Sequence, residues 1–426
     1  MPIPSTAATN RLSSNKLGKN YSVELYVGQK NITKYLYGVR IVNNLLSSWP
    51  TVSLRLGIDC NDIILNDIYG QQELYLKIVL NTEDGTPSVT LNLHLLYLQS
   101  NVALIPKITK SLVPEQQWQL QTIEFSTIPI YASNLMGMFI NDIYQETDGP
   151  NTGIGIIKKT LTKYGFTYQI DNTGFATTFS TQTIVPPMSF RQMVDYIDKY
   201  VGIYNGPLFY NCDYDGTFKM WDLSQRIKRP NIFTVYQLGG GSDPKETSDE
   251  LKKTLSPQNN VYITSEAIQT IYHSNANILK YGYSNLHITH PNSSIYDLKS
   301  GTIDTIATAF GISNANKVLI FNPLLKGRKK YAYSTSGERG NDVVTSEFSS
   351  NIAKLSTLQM TVKRDIKIDN IIRIGEPVIF EPTTLEYLRY RGKYILESYD
   401  LQLSMAGSDN WDSLCQIRMF RAMQQQ

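Results

Sequence analysis

The chain has 426 residues, of which 41% are hydrophobic and 18% are charged, and its formal net charge is +3. This composition is that of a globular protein of roughly two to four domains, and it excludes an extended disordered chain. The near balance of 40 basic and 37 acidic residues gives no argument for a nucleic-acid-binding protein.

The cysteines and the amino-terminal residues indicate the cellular compartment in which the protein is expected. Cys60, Cys212 and Cys415 are far apart, form no metal or redox motif and predict no disulfide framework. Residues 1–20 are small, polar and basic without an apolar centre, so they predict a flexible arm and not a signal peptide. No apolar run approaches the ~20 residues of a membrane helix. We therefore expect no membrane insertion and a reducing, soluble compartment.

Residues 21–127 alternate between apolar and polar side chains. This period of two is typical of an antiparallel sheet with one buried face and one wet face. Turn-forming residues separate the runs, as at Gly28 and Asp84–Pro87. The pattern predicts a first tube-like β domain, built as a sandwich or a barrel. The alternating apolar positions include Val23, Leu25, Val27, Val52, Leu54, Leu56, Leu74, Leu76, Ile78, Leu91, Leu93 and Leu95.

Residues 128–230 change to a helical period and predict a small α+β domain. A third helix is the best marked, because Ser189 and Gln192 form an S-x-x-Q capping box and Gly202 follows its last turn. Strands are expected after it at Ile203–Tyr210 and Phe218–Trp221. The residues that fit helical faces are Leu135, Phe139, Ile140 and Ile143 in the first helix; Ile157, Leu161 and Tyr164, stopped by Gly165, in the second; and Phe190, Met193, Val194, Ile197 and Val201 in the third.

Residues 231–426 return to strand-like alternation and predict a second tube-like β domain. Polar insertions interrupt it near residues 239–260 and 334–351. The fold class expected for the whole chain is therefore mainly β with an α+β middle domain. The strands expected in the last third are Leu355–Val362, Ile372–Phe380, Tyr394–Leu403 and Gln416–Phe420.

One stretch has the spacing of a calcium-binding loop. In NCDYDGTFKMWD, the residues Asn211, Asp213, Asp215 and Asp222 match the oxygen ligands of such a loop, with Gly216 at its turn. The flanking residues indicate strands and not the helices of an EF-hand. Asp-Gly between two strands is also a strong signal for a β-hairpin. We interpret the stretch as a hairpin and predict no metal site here.

The sequence gives no other candidate for catalysis or for a cofactor. His287 and His290 make H-x-x-H, but Ile288, Thr289 and Pro291 favour a strand over a metal-binding helix. No G-x-S-x-G motif is present, and no cysteine lies near a motif histidine. We therefore predict neither an enzyme nor a cofactor.

Two regions resemble bacteriophage tail baseplate hub proteins, the contractile-tail family related to the amino-terminal regions of type VI secretion spikes. The first region consists of I-x-I-G-E-P-V-I-F (Ile372–Phe380), R-G-K-Y-I-L-E-S (Arg391–Ser398) and C-Q-I-R-M-F-R (Cys415–Arg421). It resembles the strand, glycine turn and paired strands near the end of hub proteins. The second, Val185–Leu223, resembles the hub segment in which a capped helix leads into a glycine and paired strands.

The resemblance implies a structural protein of the virion with two tube-type antiparallel β-barrel domains in each chain. Three chains would then present six such domains, and so would join the six-fold tail tube to a three-fold central spike. The implied partners are further copies of this chain, the tail tube protein and the central spike protein, with baseplate wedge and tape measure proteins as further candidates. DNA would pass only in transit through the channel, and assembly would take place in the host cytoplasm.

Two other classes of protein remain open at this point. A tail-associated cell-wall hydrolase would need a self-contained catalytic domain, which the sequence does not display. A sugar-binding β-sandwich adhesin is favoured by the 28 tyrosines, and it would need exposed aromatic side chains clustered on one face.

Overall fold

A computed structural model of the chain provides the fold. It describes residues 20–45, 49–59, 64–71, 73–81, 87–103, 120–145, 151–173, 182–204, 208–214, 216–226, 228–238, 260–264, 268–272, 285–289, 295–297, 329–333, 358–364, 374–382, 385–405 and 411–421. The polar insertion at 334–351 lies outside these residues, and so do all but the last residue of the predicted arm (1–20) and all but the last residue of the insertion at 239–260.

The first part of the chain is a run of strands, as the alternation predicts. A 3-10 turn at Thr33–Tyr35 and one short helix interrupt it. The elements are β1 (Asn20–Val27), β2 (Lys30–Asn31), β3 (Leu36–Asn44), β4 (Thr51–Asp59), α1 (Ile64–Gln71), β5 (Glu73–Asn81), β6 (Pro87–Ala103) and β7 (Leu120–Pro129).

The middle part mixes helices with short strands. The elements are α2 (Ile130–Gly137), β8 (Phe139–Gln145), α3 (Gly153–Lys163), β9 (Tyr168–Ile170), β10 (Gln182–Ser189), α4 (Phe190–Tyr200), β11 (Leu208–Cys212), β12 (Phe218–Asp222) and α5 (Leu223–Arg226).

The last part returns to strands. A 3-10 segment at Leu385–Tyr390 precedes the final two. The strands are β13 (Phe233–Leu238), β14 (Asn260–Thr264), β15 (Ile268–Tyr272), β16 (Asn285–Thr289), β17 (Ile295–Asp297), β18 (Lys329–Tyr333), β19 (Leu358–Arg364), β20 (Pro377–Pro382), β21 (Gly392–Met405) and β22 (Trp411–Arg421).

One 14-stranded sheet contains strands from both ends of the chain. Strand β21 pairs with β3 over Ser398–Ser404 and Gly38–Asn44, so the last third of the chain continues the sheet of the first third. Most pairings are antiparallel, as predicted, but β13 runs parallel to both β14 and β20. Three smaller sheets contain β8 with β10, β9 with β11 and β12, and β16 with β17 and β18.

Part of the large sheet curls back on itself. Its pairings run β1, β5, β6, β7, β4, β3, β21, β22, and β22 then meets β1. The last contact is a single residue pair, Tyr21 with Trp411. The structure therefore shows a β-rich fold with a strongly curved sheet, and the predicted barrels and domain limits stay predictions.

Two hydrophobic cores stabilise this fold. The sheet core lies on the inner face of the large sheet and includes Leu25, Leu54, Leu76, Phe125, Tyr394 and Ile417. The helix core lies between α2, α3, α4 and two of the small sheets, the β8–β10 pair and the sheet of β9, β11 and β12; it includes Leu135, Ile156, Leu161, Phe190, Met193 and Ile197.

The predicted third helix is confirmed in detail. Helix α4 begins after Ser189, and the side-chain and backbone bonds of its capping box with Gln192 are both present. Ile197 on the predicted apolar face is fully buried. The second helix, α3, is confirmed with Ile157 and Leu161 fully buried, but the predicted place of Tyr164 on its apolar face is wrong, since Tyr164 follows the last residue, Lys163, and is 42% exposed.

The first predicted helix is wrong in its second half. Helix α2 ends at Gly137, and Phe139, Ile140 and Ile143 lie on strand β8. Their spacing fits a helical face, but the observed burial alternates along the strand, with Ile140 buried while Phe139 and Ile143 are exposed. Pairing with β10 stabilises this strand, and sequence periodicity does not report that long-range contact. The strand predicted at Ile203–Tyr210 is also shorter, because β11 begins at Leu208.

Candidate functional site at the junction of the two cores

The stretch with calcium-loop spacing is a β-hairpin, as predicted. Strands β11 and β12 pair antiparallel from Leu208 with Asp222 to Cys212 with Phe218. The amide of Asp213 donates to the carbonyl of Thr217 at 2.9 Å, which closes the turn. Gly216 has a φ of +83°, a conformation that favours glycine.

The hairpin gives its polar side chains separate partners. The side-chain amide of Asn211 donates to Oδ1 of Asn43 on β3 at 3.1 Å. The carboxylate of Asp213 forms an ion pair with Lys219. Asp222 is buried at the end of β12, and Asp215 lies outside the described residues. These contacts suit a structural hairpin, and the lack of a metal site stays a prediction.

The three cysteines and the two histidines of H-x-x-H were the other candidate site residues in the sequence. Cys212 and Cys415 are buried, and Cys60 and His290 lie outside the described residues. His287 lies on strand β16, as predicted. In the described part of the chain, no group of three or more His, Cys, Asp or Glu side chains is placed to hold a metal ion.

The hairpin joins the two cores because its side chains alternate between two buried faces. A strand that is apolar on both faces is buried on both. Residues directed to the sheet core are Phe209, Tyr214 and Trp221. Residues directed to the helix core are Cys212, Phe218 and Met220.

Trp221 packs against a glycine turn of the last third of the chain. Gly375 has a φ of +77°, and a Cβ atom placed there would lie 2.3 Å from Cζ2 of Trp221. The turn is also fixed to β21, because the amide of Gly375 donates to the carbonyl of Leu396 at 2.7 Å. Glycine is therefore required at position 375 both by the backbone and by the indole ring.

Arg226 lies between the hairpin and this turn. Its guanidinium stacks over the Trp221 ring at 5.2 Å and forms an ion pair with Glu376. Its Nη1 atom lies 3.9 Å from Oδ2 of Asp171, which also pairs with Arg229. Burial lowers the pKa of Arg226, and the nearby carboxylates oppose that effect. The junction therefore combines apolar packing with a partly buried network of charges.

Two tyrosines form a second polar contact across the junction. The hydroxyl of Tyr399 on β21 donates to the hydroxyl of Tyr214 in the hairpin turn. Burial raises the pKa of both phenols well above its ordinary value, so both remain neutral over the physiological range. A buried hydroxyl pair of this kind fixes orientation and supplies no acid–base chemistry.

The outer face of the β8–β10 pair carries exposed apolar side chains. We call Phe139, Ile143 and Ile184 the ribbon face; they are 66%, 54% and 58% exposed. Ile143 and Ile184 are direct cross-strand partners. Pro186 and Pro187, also exposed, follow on β10. Large exposed apolar patches mark sites of contact with proteins, membranes or ligands.

A row of aromatic rings crosses the outer face of β1, β5 and β6. The ring centroids of Tyr26 and Tyr75 are 5.9 Å apart, and those of Tyr75 and His94 are 5.0 Å apart. The rings are tilted by 51° and 54° to each other, and the two hydroxyls bond to Glu24 and Asn92. Cross-strand pairing accounts for this row.

Sequence reasoning missed the residues that build the junction. Trp221, Arg226 and Glu376 are brought together by the fold, since about 150 residues separate the last two in the chain. One local signal was available: the strands around Phe209 and Met220 are apolar on both faces, which indicates burial between two layers.

Comparison with known proteins bears on the fold. The sequence matches no protein-family model and no curated protein.

Among the described residues, no helix is long and apolar enough to cross a membrane.

Solved structures do match. The tail protein from Neisseria meningitidis MC58 aligns with a TM-score of 0.55 and 12% identity, over 94% of this chain and 96% of that one. The 43 kDa tail protein of prophage MuSo2 from Shewanella oneidensis aligns with a TM-score of 0.51 and 11% identity, over 94% and 98%. The chain therefore has the fold of these two tail proteins, which confirms, at the level of fold, the resemblance seen in the sequence.

Proposed function

We propose that this chain is a structural protein of a phage tail and forms the central baseplate hub. One observation carries the proposal: the likeness in fold to two tail proteins extends over nearly the whole of this chain and of both of theirs. A likeness limited to one domain would support only a shared building block. The hub-like segments Val185–Leu223 and Ile372–Arg421 add support, because the structure packs their hairpin and glycine turn together at the junction.

In this proposal the chain forms a homotrimeric ring around an open channel. Each chain contributes two tube-type β-barrel domains, so the trimer has six similar wall elements. These six elements meet the six-fold tail tube on one side. The three-fold axis of the ring meets the central spike on the other side. A closed ring also covers sheet edges that would otherwise promote aggregation.

The ribbon face supports an assembly role. Phe139, Ile143 and Ile184 are too exposed to contribute to the core of one chain. Obligate interfaces bury more than about 2,000 Å² and are more apolar than ordinary surface. In the proposed particle a neighbouring subunit covers these side chains.

The proposed partners are other copies of this chain, the tail tube protein and the central spike protein, with contacts to wedge and tape measure proteins at the rim and channel. The proposed location is the virion tail, after assembly in the host cytoplasm. The role is structural and not enzymatic, and DNA crosses the ring only in transit.

A reconstruction of the assembled particle by electron microscopy tests the hub role. We expect three copies of this chain on the central axis, between tube and spike. Six copies, or a position at the periphery, would refute the hub and favour a wedge or fibre-attachment role.

A matched pair of variants tests the ribbon face. Ile143→Asp places a charge on the proposed contact, whereas Ile143→Val keeps it apolar. Because Ile143 is exposed in the single chain, both variants should fold, and only the aspartate variant should fail to enter particles. Equal incorporation of both variants would remove the ribbon face from the proposed interface.

The competing hydrolase class has its own test. A zymogram on peptidoglycan should show no cleared band at the 48.3 kDa of this chain. A clear band there would overturn the structural role.

A further inference from the structure

A small cleft lies within the junction. It is lined by Asn211, Asp213, Lys219, Trp221, Arg226, Ile374 and Glu376, and its volume is about 20 Å³. A site of roughly 10–15 Å³ or more on this measure holds one water molecule, provided that it has polar partners. The cleft is therefore the size of one water molecule and too small for an organic ligand.

Two of the residues that line this cleft carry donors for which the described part of the chain offers no acceptor. The donors are the indole Nε1–H of Trp221, a residue that is 3% exposed, and the Nε–H of Arg226, whose side chain is 15% exposed. Both nitrogens are buried, and no acceptor for either lies within the described part of the chain. A buried donor without a partner costs about 1–3 kcal/mol, so native proteins rarely leave one unsatisfied.

The charges around the cleft decide what kind of ligand fits. Asp213 and Glu376 contribute two negative charges, and Lys219 and Arg226 contribute two positive charges, so the lining has no net charge. Asp213 pairs with Lys219, and Glu376 pairs with Arg226. A halide would need an excess of positive charge, and a metal cation would need free carboxylates. A neutral molecule that both accepts and donates hydrogen bonds suits the lining better than either ion.

We propose that the cleft is a built hydration site that holds one water molecule. Its oxygen accepts from Nε1–H of Trp221 and from Nε–H of Arg226, and its hydrogens are directed to the carboxylates of Asp213 and Glu376. Water in this position connects the hairpin and α5 to the glycine turn. Residue 375 in that turn is a glycine and has no side chain of its own. The water is thus a structural part of the junction between the two cores.

Crystal structures of the full chain at about 1.5 Å resolution test this site. We expect one ordered peak within about 2.7–3.2 Å of both nitrogens. A crystal soaked in bromide should give no anomalous signal at that position. The site is refuted if the cleft shows no peak, if bromide occupies it, or if a protein atom supplies the missing acceptor.

A variant adds a second readout. Trp221→Phe keeps an aromatic ring beside Gly375 and Arg226 but removes the indole donor, so the water peak should lose occupancy or shift toward Arg226. An unchanged peak would show that Trp221 does not hold the water. If this variant fails to fold, the wild-type crystals still decide, since their peak and its bromide response do not depend on it.

Discussion

Replacing Gly375 with alanine should destabilise the chain through two separable effects. The first is backbone strain, because a residue with a side chain is disfavoured at the φ of +77° found there. The second is a steric overlap, because the new Cβ would lie 2.3 Å from Cζ2 and 2.9 Å from Nε1 of Trp221. The indole ring is buried against the junction, so it has little room to retreat.

Gly165 provides a matched control for the backbone effect. Its φ is +76°, and a Cβ atom there would meet nothing within 4 Å. The strain costs about 1–2 kcal/mol at either glycine, and overpacking a filled site adds about 1–3 kcal/mol. Before any offset from the unfolded state, Gly375→Ala should therefore cost roughly 2–5 kcal/mol, and Gly165→Ala only the part due to strain. The reduced freedom of the unfolded chain offsets about 0.4–1 kcal/mol in both variants.

Urea unfolding followed by circular dichroism and tryptophan fluorescence measures both free energies. A double-mutant cycle isolates the steric part, because Gly375→Ala in a Trp221→Leu background should cost only the strain. The reasoning fails if Gly375→Ala costs no more than Gly165→Ala, or if the cost is the same in both Trp221 backgrounds.

Four further predictions concern other parts of the chain. Ile197→Ala should cost about 2–5 kcal/mol of unfolding free energy, since the side chain is fully buried, and an unchanged urea midpoint would contradict its place in the helix core. Ser189→Ala should cost about 0.5–2 kcal/mol through the lost cap, whereas Ser189→Thr, which retains the hydroxyl, should cost less. Burial raises the pKa of Glu397 from its ordinary 4.5, with Arg418 opposing, so the folded state loses stability as pH rises through the window above 4.5. Glu397→Gln should therefore raise the unfolding midpoint more at pH 7 than at pH 4, and an equal gain at both pH values would refute the assigned burial effect. Calorimetric titration should show no tight calcium binding to the hairpin, and micromolar binding that Asp215→Ala abolishes would refute the hairpin interpretation.

Local patterns in the sequence were enough to predict several elements of this fold. The capping box at Ser189, the stop at Gly165 and the hairpin signal at Gly216 each depend on a few neighbouring residues, and the structure has all three features. The period-two alternation of the first and last thirds also predicted strands, because burial on one face of a sheet imposes that period directly. The strand expected at Ile372–Phe380 is an exception at its start, since Ile374 and Gly375 form a turn and β20 begins at Pro377. The error at Phe139–Ile143 arose where two periods fit equally well, and pairing with β10 decided between them.

The sequence by itself therefore determined the kind of many elements and much of the buried surface. Only the tertiary structure decided which strands became neighbours: β3 pairs with β21 across about 360 residues of chain, as the ion pair of Arg40 with Asp400 illustrates. The same holds for the junction, where Trp221, Arg226 and Glu376 acquire their roles from contacts between distant segments. Alternation and capping depend on the immediate environment of each residue. Strand order and the packing of the two cores depend on how the whole chain buries its apolar surface, and no local sequence pattern encodes this long-range packing.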